Sequence, residues 1–276
     1  VVTEEHLSRV VMPFFGRFSK EWQAIFAHTP LVQQHQYQLE HMFALFFQIR
    51  RAFHFIFRAI LGTSQAAAQL RMAVWQPIFG YDIRRYHRSL YARMHEVSTL
   101  ILGESGTGKE LVASAIGLAR YIPFNSKNQR FEGDYLHDFQ AVHLAALPLT
   151  LLESELFGHK KGAFTGATGD RAGYLETSHH SQSVFLDEIG ELPAEVQVKL
   201  LRVLQNRRFQ RVGDNQGREF YGKIISATHR NLAQAIEDGK FRADLYYRLC
   251  SDIIRTPSLA TQLADNPDEL HHLVTL

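Results

Sequence analysis

Apolar residues near the start of the chain recur at steps of three and four residues. The members of this stripe are Leu39, Met42, Phe43, Phe46, Phe53, Ile56, Phe57 and Ile60. Such spacing places side chains on one face of a helix. It predicts an α-helical N-terminal segment over 1–57 that packs against protein or pairs with a second subunit. The alternative is a helix at a membrane surface, with Arg50, Arg51 and Arg58 toward lipid headgroups.

Between residues 58 and 257, short apolar runs alternate with amphipathic helical stretches. The strand candidates are 97–102, 141–144, 183–186 and 224–228. The helix candidates are 109–120 and the stretch around 196–204. This alternation predicts an α/β fold with a mostly parallel sheet covered by helices. Ligands of such sheets bind beyond the carboxyl ends of the strands.

Composition narrows the function classes. The chain has 276 residues, of which 45% are hydrophobic and 21% charged, with a formal net charge of +2. This charge does not favour nucleic-acid binding by bulk electrostatics. Cys250 is the only cysteine, which excludes an intrachain disulfide and fits a reducing cytosol. The longest apolar runs are far below the ~20 residues needed to cross a bilayer, so we expect a cytoplasmic protein without membrane contact.

A glycine-rich stretch separates the strand candidate 97–102 from the helix candidate 109–120. Its residues are Gly103, Glu104, Ser105, Gly106, Thr107, Gly108, Lys109 and Glu110. Glycines let the backbone curl so that N–H groups point at phosphate oxygens, and the helix N-terminus adds partial positive charge. Lys109 can reach the β- and γ-phosphates as a point charge. Glu110 stands where the general P-loop motif has Ser or Thr for magnesium.

Two acids follow the strand candidate 183–186. Asp187 and Glu188 come at its carboxyl end, where phosphates lie in this kind of sheet. Asp187 can hold Mg²⁺, directly or through water. Glu188 can orient and deprotonate an attacking water. An isolated Asp-Glu pair is more often a solvated turn, but this pair follows an apolar strand downstream of a P-loop, which favours a catalytic role.

A second glycine-flanked stretch presents one aromatic side chain and one hydroxyl. Its residues are Gly162, Ala163, Phe164, Thr165, Gly166 and Ala167. Taken alone it reads as a flexible surface loop inside a helical region, or as an ordinary turn. The stretch resembles the signature loop of the sigma-54-dependent transcriptional activators, also called bacterial enhancer-binding proteins. The phosphate stretch, including Glu110, is similar to the same family's P-loop, and the resemblance covers about 62–256.

The resemblance implies an AAA+ three-layer sandwich that hydrolyses ATP with Mg²⁺ to remodel sigma-54 RNA polymerase at promoters. The loop around Phe164 and Thr165 would contact the sigma factor. Thr228 and His229 match the family's first sensor of the γ-phosphate, while Arg242 and Arg248 match the arginine fingers that reach a neighbouring subunit's ATP. The implied assembly is a homo-oligomeric ring, usually a hexamer.

Three departures from the family pattern qualify these expectations. His143 stands where the family has an asparagine that restrains the catalytic glutamate, which predicts that it lies near Glu188; a purely structural histidine is the alternative. The connection 121–139 is longer than usual. We expect 258–276 to begin an incomplete helical lid, and enhancer DNA to be contacted only through a C-terminal domain absent from this chain. Because of these departures, an alternative function remains: the chain is a nucleotide-dependent binding module with weak or no ATP turnover.

Overall fold

The computed structural model describes residues 10–26, 38–134, 138–178 and 182–275. Its longer helices are α1 (Phe15–Phe26), α2 (Leu39–Ala59), α3 (Gln65–Phe79), α4 (Ile83–Arg88), α5 (Lys109–Leu118), α6 (Leu149–Phe157), α7 (Ala194–Asn206), α8 (Leu232–Glu237), α9 (Ala243–Leu249), α10 (Leu259–Asp265) and α11 (Glu269–Thr275). Short 3-10 turns cover Leu90–Ala92, Met94–Glu96, Leu144–Ala146 and Ile189–Glu191. Within these residues no helix is both long enough and apolar enough to cross a membrane.

A five-stranded parallel sheet forms the centre of the fold. Its strands, in spatial order, are β4 (Phe139–His143), β5 (Ser183–Asp187), β8 (Lys223–Thr228), β1 (Thr99–Leu102) and β9 (Asp252–Arg255). Two small hairpins pair β2 (Phe124–Asn125) with β3 (Arg130–Phe131), and β6 (Arg208–Phe209) with β7 (Arg218–Glu219). The four strand candidates are confirmed to within two residues at each end. The edge strand β9 was not predicted.

Helices cover both faces of the sheet. One face, with Ile101, Phe185 and Ile225, shares an apolar core with α1, α2, α3 and α5. The other face, with Leu100 and Val184, packs against α6, α7, α8 and α9. Burial on both faces explains why the central strands are almost continuously apolar. The predicted three-layer α/β sandwich is confirmed.

Helix α2 packs against the core through part of its predicted apolar stripe, since Met42, Phe43 and Ile56 are buried, but its buried face is shifted from the stripe. Phe46, Phe53 and Phe57 are 49%, 50% and 53% exposed, so three members of the stripe face outward. The buried face includes Gln48 and Arg51, which are 0% and 6% exposed. Polar side chains can be buried in this way when their donors are satisfied. The helix continues past Phe57 to Ala59.

Gln48 and Arg51 bind the carboxyl end of α5. Gln48 Nε2 donates to the Ala119 carbonyl at 2.9 Å. Arg51 donates through Nη1 to the Leu118 carbonyl at 3.1 Å and through Nη2 to the carbonyl of Arg120. The last carbonyls of a helix lack intrahelical partners and carry partial negative charge, so an amide and a guanidinium are suitable caps. The N-terminal segment is thereby fixed to the helix that starts at Lys109.

The segment after β9 returns to the start of α3. The Glu269 carboxylate is fully buried and accepts hydrogen bonds from Thr63 N at 2.8 Å, Thr63 Oγ1 at 3.1 Å, Ser64 N at 3.2 Å and Ser64 Oγ at 3.1 Å. Gly62 has a φ of +105°, and a Cβ there would lie 1.9 Å from Glu269 Oε1. Glycine is therefore required for both the backbone conformation and the close approach.

Candidate nucleotide site and interaction loop

The phosphate loop joins β1 to α5 at the carboxyl edge of the sheet. Gly106 and Gly108 have φ values of 81° and 79°, which glycine adopts without strain. Lys109 is the first residue of α5 and is 7% exposed. Its Nζ donates to the carbonyls of Gly103 and Glu104 at 3.0 and 2.9 Å. The loop thus curls around the ammonium group, where phosphate oxygens would compete with these two carbonyls.

The same loop is tied to the chain that leaves β9. Thr107 Oγ1 lies 2.6 Å from Thr256 Oγ1 and also donates to the Glu104 carbonyl at 2.8 Å. A Cβ on Gly103 would lie 2.0 Å from Thr256 Oγ1, so only glycine permits this approach. Sequence reasoning missed Thr256, because it lies 149 residues from Thr107 and belongs to no local motif.

His143 contacts Asp187, not Glu188. Its Nδ1 lies 3.2 Å from Asp187 Oδ2, and the two side chains are 53% and 21% exposed. The side chain that His143 pairs with is therefore Asp187, the residue before Glu188, and not Glu188 as expected. The reason is strand register: β4 and β5 are parallel and place His143 directly beside Asp187.

Glu188 is held by the last residue of the neighbouring strand β8 and by the residue after it. The Glu188 backbone is left-handed, with φ 57° and ψ 50°. Its Oε2 lies 2.8 Å from His229 Nδ1 and accepts from Thr228 Oγ1 at 3.3 Å and His229 N at 3.4 Å. Desolvation raises the pKa of the Glu188 carboxyl, but hydrogen bonds from His229 and the charges of His229 and Lys109 outweigh it, so the pKa is lowered. The carboxylate form is favoured, as a general base requires.

A cleft of about 580 Å³ opens beside the phosphate loop. Its lining includes Gly103, Thr228, His229, Tyr246, Arg255 and Thr256. The phosphate loop, Thr228 and His229 line this cleft, and the strand pairing of β5 with β8 and the contacts of Glu188 bring both acids to the same edge of the sheet. For Mg²⁺, the Asp187 carboxylate at the end of β5 is the ligand type that the ion prefers, together with phosphates and water. The residues present fit a nucleotide-bound magnesium ion.

Arg242 and Arg248 lie outside this cleft. Arg242 is exposed and forms a two-pronged ion pair with Asp244, at 3.0 Å from Nε and 2.7 Å from Nη2. Its backbone N–H donates to Gln197 Oε1 at 2.9 Å, which fixes the start of α9 against α7. Arg248 is exposed near the end of α9. A role for either guanidinium in ATP chemistry would therefore need the cleft of another molecule.

The stretch 162–167 forms a compact turn within the irregular segment 158–178, where no helix is present among the described residues. Gly162 N donates to the Ala167 carbonyl at 2.9 Å, and Ala167 N donates to the Phe164 carbonyl at 3.0 Å. Thr165 is exposed, but Phe164 is half-buried against the His159 ring, with centroids 5.0 Å apart. The expectations of a helical surrounding and an exposed Phe164 were wrong, because the turn folds its aromatic ring back onto its own base.

A charged network connects this turn to the hairpin of β6 and β7. Arg211 forms ion pairs with Glu176 at 2.7 Å and with Asp170 at 3.6 Å. Arg218 also pairs with Glu176, at 3.0 Å. Arg211 is only 13% exposed at its side chain, so its charge is held mainly by these acids. The sequence analysis did not predict this network, although Gly213, which has a positive φ, is a local turn signal of a hairpin.

Comparison with models of known protein families shows to which family the chain belongs. A sequence model described as the sigma-54 interaction domain matches residues 83–255, more than half of the chain. The chain belongs to the sigma-54 interaction domain family. The matched residues of this sigma-54 interaction domain include the phosphate loop, both acids, the turn 162–167 and both arginines.

Curated relatives are transcriptional regulators. The transcriptional regulatory protein GlrR of Escherichia coli (strain K12) is 45% identical over 192 residues, which cover 70% of this chain and 40% of GlrR. The Nif-specific regulatory protein of Azotobacter vinelandii is 50% identical over 171 residues, which cover 62% of this chain and 30% of that protein. The sigma-54 interaction domain described here thus spans less than half the length of these relatives.

Solved structures of other proteins have a fold similar to that of this chain. NtrX from Brucella abortus in complex with ADP has a TM-score of 0.58 and 32% identity, and the match covers 75% of this chain and 39% of NtrX. A reconstruction of Hsp104 with ATPγS and casein has a TM-score of 0.52 at 17% identity, covering 83% of this chain and 38% of that one. The Hsp104 match shows a common fold alone. The predicted AAA+ fold is confirmed.

Proposed function

We propose that this sigma-54 interaction domain hydrolyses ATP and uses the reaction to remodel sigma-54 RNA polymerase at promoters. The observation that carries the proposal is the meeting of Lys109, Asp187 and Glu188 at one sheet edge beside an open cleft. The matched family and the nucleotide complex of NtrX support ATP as the ligand.

The proposed chemistry assigns a separate role to each group. Backbone N–H groups of 103–110 and the Lys109 ammonium bind the phosphates. The Glu188 carboxylate takes the proton of the attacking water. Thr228 and His229 fix the Glu188 carboxylate in place through Oε2. Asp187 would hold Mg²⁺, which supplies charge neutralisation at the phosphates when bound.

The proposed assembly is a ring of identical subunits, a hexamer as in the family that the sequence resembles. Arg242 and Arg248 are exposed and outside their own cleft, which suits groups that complete the site of a neighbour. In this proposal the ATPase core consists of residues 58–257. A helical segment of unknown role, residues 1–57, precedes the core, and the start of a helical lid, residues 258–276, follows it.

The turn 162–167 is the proposed contact with sigma-54. Thr165 is exposed at this turn. Arg211 of the β6–β7 hairpin forms ion pairs with Asp170 and Glu176, which follow the turn in the chain, and these ion pairs suit a turn that moves as a rigid unit. The test is capture of purified sigma-54 in the presence of ADP and aluminium fluoride. Thr165→Ala should lose capture at least tenfold while keeping ATP turnover.

Thr168→Ala is the matched control, since Thr168 is also exposed and lies just outside the turn. It should capture sigma-54 as the wild type does. Equal capture by the wild type and Thr165→Ala would remove the turn from the proposal, and ATP turnover at the background rate in the wild type would remove the ATPase function.

A further inference from the structure

A hydroxyl group outside the phosphate motif joins the phosphate loop to the end of the sheet. Thr256 follows Arg255, the last residue of β9, and is 7% exposed. Its Oγ1 lies 2.6 Å from Oγ1 of Thr107, which belongs to the phosphate loop. This contact connects two side chains, so it depends on the residue type at both positions.

The two hydroxyls lie beside the first glycine of the loop. A Cβ on Gly103 would stand 2.0 Å from Thr256 Oγ1 and 2.9 Å from Thr107 Oγ1. The pair therefore fills the space that a side chain at Gly103 would take. Because Thr256 holds Thr107 at this place, it limits how far the later part of the loop can move away from its start.

The direction of the hydrogen bond follows from the other contacts of the two hydroxyls. A threonine hydroxyl has one hydrogen to donate and two lone pairs that accept. Thr107 Oγ1 donates to the Glu104 carbonyl at 2.8 Å. The hydrogen between the two side chains therefore comes from Thr256, whose other acceptor, the Leu102 carbonyl, is more distant at 3.4 Å. The donors run from Thr256 to Thr107 and from Thr107 to the Glu104 carbonyl.

The carbonyl at the end of this chain is also bound by the lysine of the motif. Lys109 Nζ donates to the Glu104 carbonyl at 2.9 Å and to the Gly103 carbonyl at 3.0 Å. Phosphate oxygens would draw the ammonium group away from these carbonyls. The Thr107 hydroxyl would then still satisfy Glu104, because a carbonyl has two lone pairs. The curled loop thus keeps an internal bond when Lys109 turns to the phosphates.

The backbone of Thr256 is held by groups that do not involve its side chain. Its N–H donates to the Leu102 carbonyl at 2.9 Å, next to the pairing of Leu102 with Arg255. Two residues later, Ser258 Oγ caps α10 by accepting from Thr261 N at 3.2 Å. A change of the side chain at position 256 therefore leaves these anchors in place and removes the link to the loop.

We propose that Thr256 is a positioning residue for ATP, whose hydroxyl holds the phosphate loop through Thr107 in the curled form that receives the phosphates. The inference rests on the proposed nucleotide site and adds to it a residue from outside the phosphate motif. N–H groups that are already arranged bind an anion more tightly than groups that must be ordered on binding. The Thr256 hydroxyl should therefore raise the affinity for ATP.

The test compares two variants that differ by one hydroxyl group. Thr256→Ser keeps the hydroxyl, Thr256→Ala removes it, and both lack the methyl group. Calorimetric titration of the whole chain with a non-hydrolysable ATP analogue and Mg²⁺ measures their affinities. Thr256→Ser should bind within about twofold of the wild type, and Thr256→Ala about three- to tenfold more weakly than Thr256→Ser, as expected for one hydrogen bond. Thr150→Ala, at an exposed threonine of α6, is the control and should bind as the wild type does.

A second arm repeats both substitutions in a Thr107→Ala background. The two double variants should bind the analogue equally, because the acceptor of the Thr256 hydroxyl is gone. If Thr256 only stabilised the fold, alanine would lower the free energy of unfolding in urea but leave the affinity of the folded chain unchanged. The Thr107→Ser and Thr107→Ala pair gives the same comparison from the other side of the contact, at a residue that is only half-buried.

Equal affinity of Thr256→Ser and Thr256→Ala for the analogue would overturn the inference. If Thr256→Ala does not fold, equal affinity of Thr107→Ser and Thr107→Ala would overturn it. A difference of the same size in the Thr107→Ala background would also overturn it, since the effect would then not pass through Thr107. A wild-type chain that does not bind the analogue would instead remove the proposed nucleotide site itself, so the two failures are distinguishable.

Discussion

His229 Nδ1 lies 2.8 Å from Glu188 Oε2, and this contact joins the end of β8 to the acid at the end of β5. The same oxygen also accepts a hydrogen bond from Thr228 Oγ1, so all of these protein donors bind one oxygen of the carboxylate. The other oxygen remains for the proton of an attacking water. The acid that we propose as the general base is thus positioned by the strand next to its own, in direct contact with the proposed sensor residues Thr228 and His229.

Replacing Glu188 by glutamine should separate ATP binding from hydrolysis. The amide has nearly the same shape but cannot take a proton from water. Glu188→Gln should bind ATP with an affinity within a few-fold of the wild type, and its turnover should fall at least a hundredfold, in line with the ~10²–10⁴-fold contribution of a general base. Lys109→Ala should instead lose ATP binding. Calorimetry measures ATP binding and phosphate release measures turnover in the two variants. Turnover at the wild-type rate by Glu188→Gln would exclude Glu188 as the general base.

Removing His229 should move the acid limb of the pH profile. Hydrogen bonds from His229 lower the pKa of the Glu188 carboxyl, so the carboxylate persists below its ordinary value of 4.5. His229→Ala deletes the side-chain donor and should raise that pKa. Turnover would then begin to fall at a higher pH than in the wild type. The measurement is kcat against pH at saturating ATP, and superimposable acid limbs would show that the contact does not tune Glu188.

His143 should affect the magnesium requirement. Its ring contacts Oδ2 of Asp187, whose carboxylate would hold the metal, so we expect the ring and the metal to compete for this carboxylate. His143→Ala should lower the Mg²⁺ concentration needed for half-maximal turnover several-fold, with little change in kcat at saturating Mg²⁺. His54→Ala, which changes an exposed histidine on α2, is the control. A changed kcat with an unchanged Mg²⁺ requirement would instead point to contact with Glu188.

Mixing two inactive variants should restore ATP turnover if Arg242 acts between subunits. Lys109→Ala has no phosphate site but keeps Arg242, and Arg242→Ala has the reverse defect. A mixed ring combines one intact phosphate site with one intact guanidinium. Phosphate release at several mixing ratios should exceed that of either variant alone. Arg202→Ala changes an exposed arginine on α7 and should behave as the wild type. Mixtures no more active than their components would show that Arg242 is not supplied by a neighbour.

Glu269→Gln should reduce the free energy of unfolding by about 1–3 kcal/mol, because an amide replaces an ion that accepts four hydrogen bonds. Desolvation raises the pKa of Glu269, but hydrogen bonds from Thr63 and Ser64 outweigh it, so the folded pKa lies below 4.5. The contribution is therefore fully present above pH 4.5 and is lost as the pH falls through the folded pKa.

Urea unfolding at neutral pH and again below pH 4.5 measures this effect, and the difference between wild type and variant should shrink at the lower pH. Glu237→Gln, at an exposed position on α8, is the matched control and should unfold as the wild type does at each pH. A difference that is independent of pH would show that packing, and not the charge of Glu269, holds the segment.

Local signals were sufficient for the central part of the fold. The strand before Gly103, the helix after it and the acids after Leu186 were predictable, because each combines an apolar run with a motif only a few residues away. The edge strand β9 was missed because it is only four residues long and its two isoleucines are adjacent between Asp252 and Arg255, although burial alternates, with Ile253 exposed and Ile254 buried.

Contacts between distant segments were not predictable. The position of His143 depends on the register of β4 against β5, and one residue of register separates contact with Asp187 from contact with Glu188. Gln48 and Arg51 belong to the polar residues of α2, and only the neighbouring carbonyls of α5 make their burial favourable. Sequence periodicity shows which residues are apolar, but it does not show which polar residues will be buried with hydrogen-bond partners.

The contact of Glu269 with Thr63 also constrains how the chain is made. The two residues are 206 positions apart, and synthesis on the ribosome proceeds from the N-terminus. The amino end of α3 emerges long before the acid that caps it. Until residue 269 has been translated, the N–H groups of Thr63 and Ser64 must be hydrated or bound by another group. The final arrangement of this helix end therefore forms only after residue 269 has been translated, and a ribosome stalled earlier would carry a chain without it.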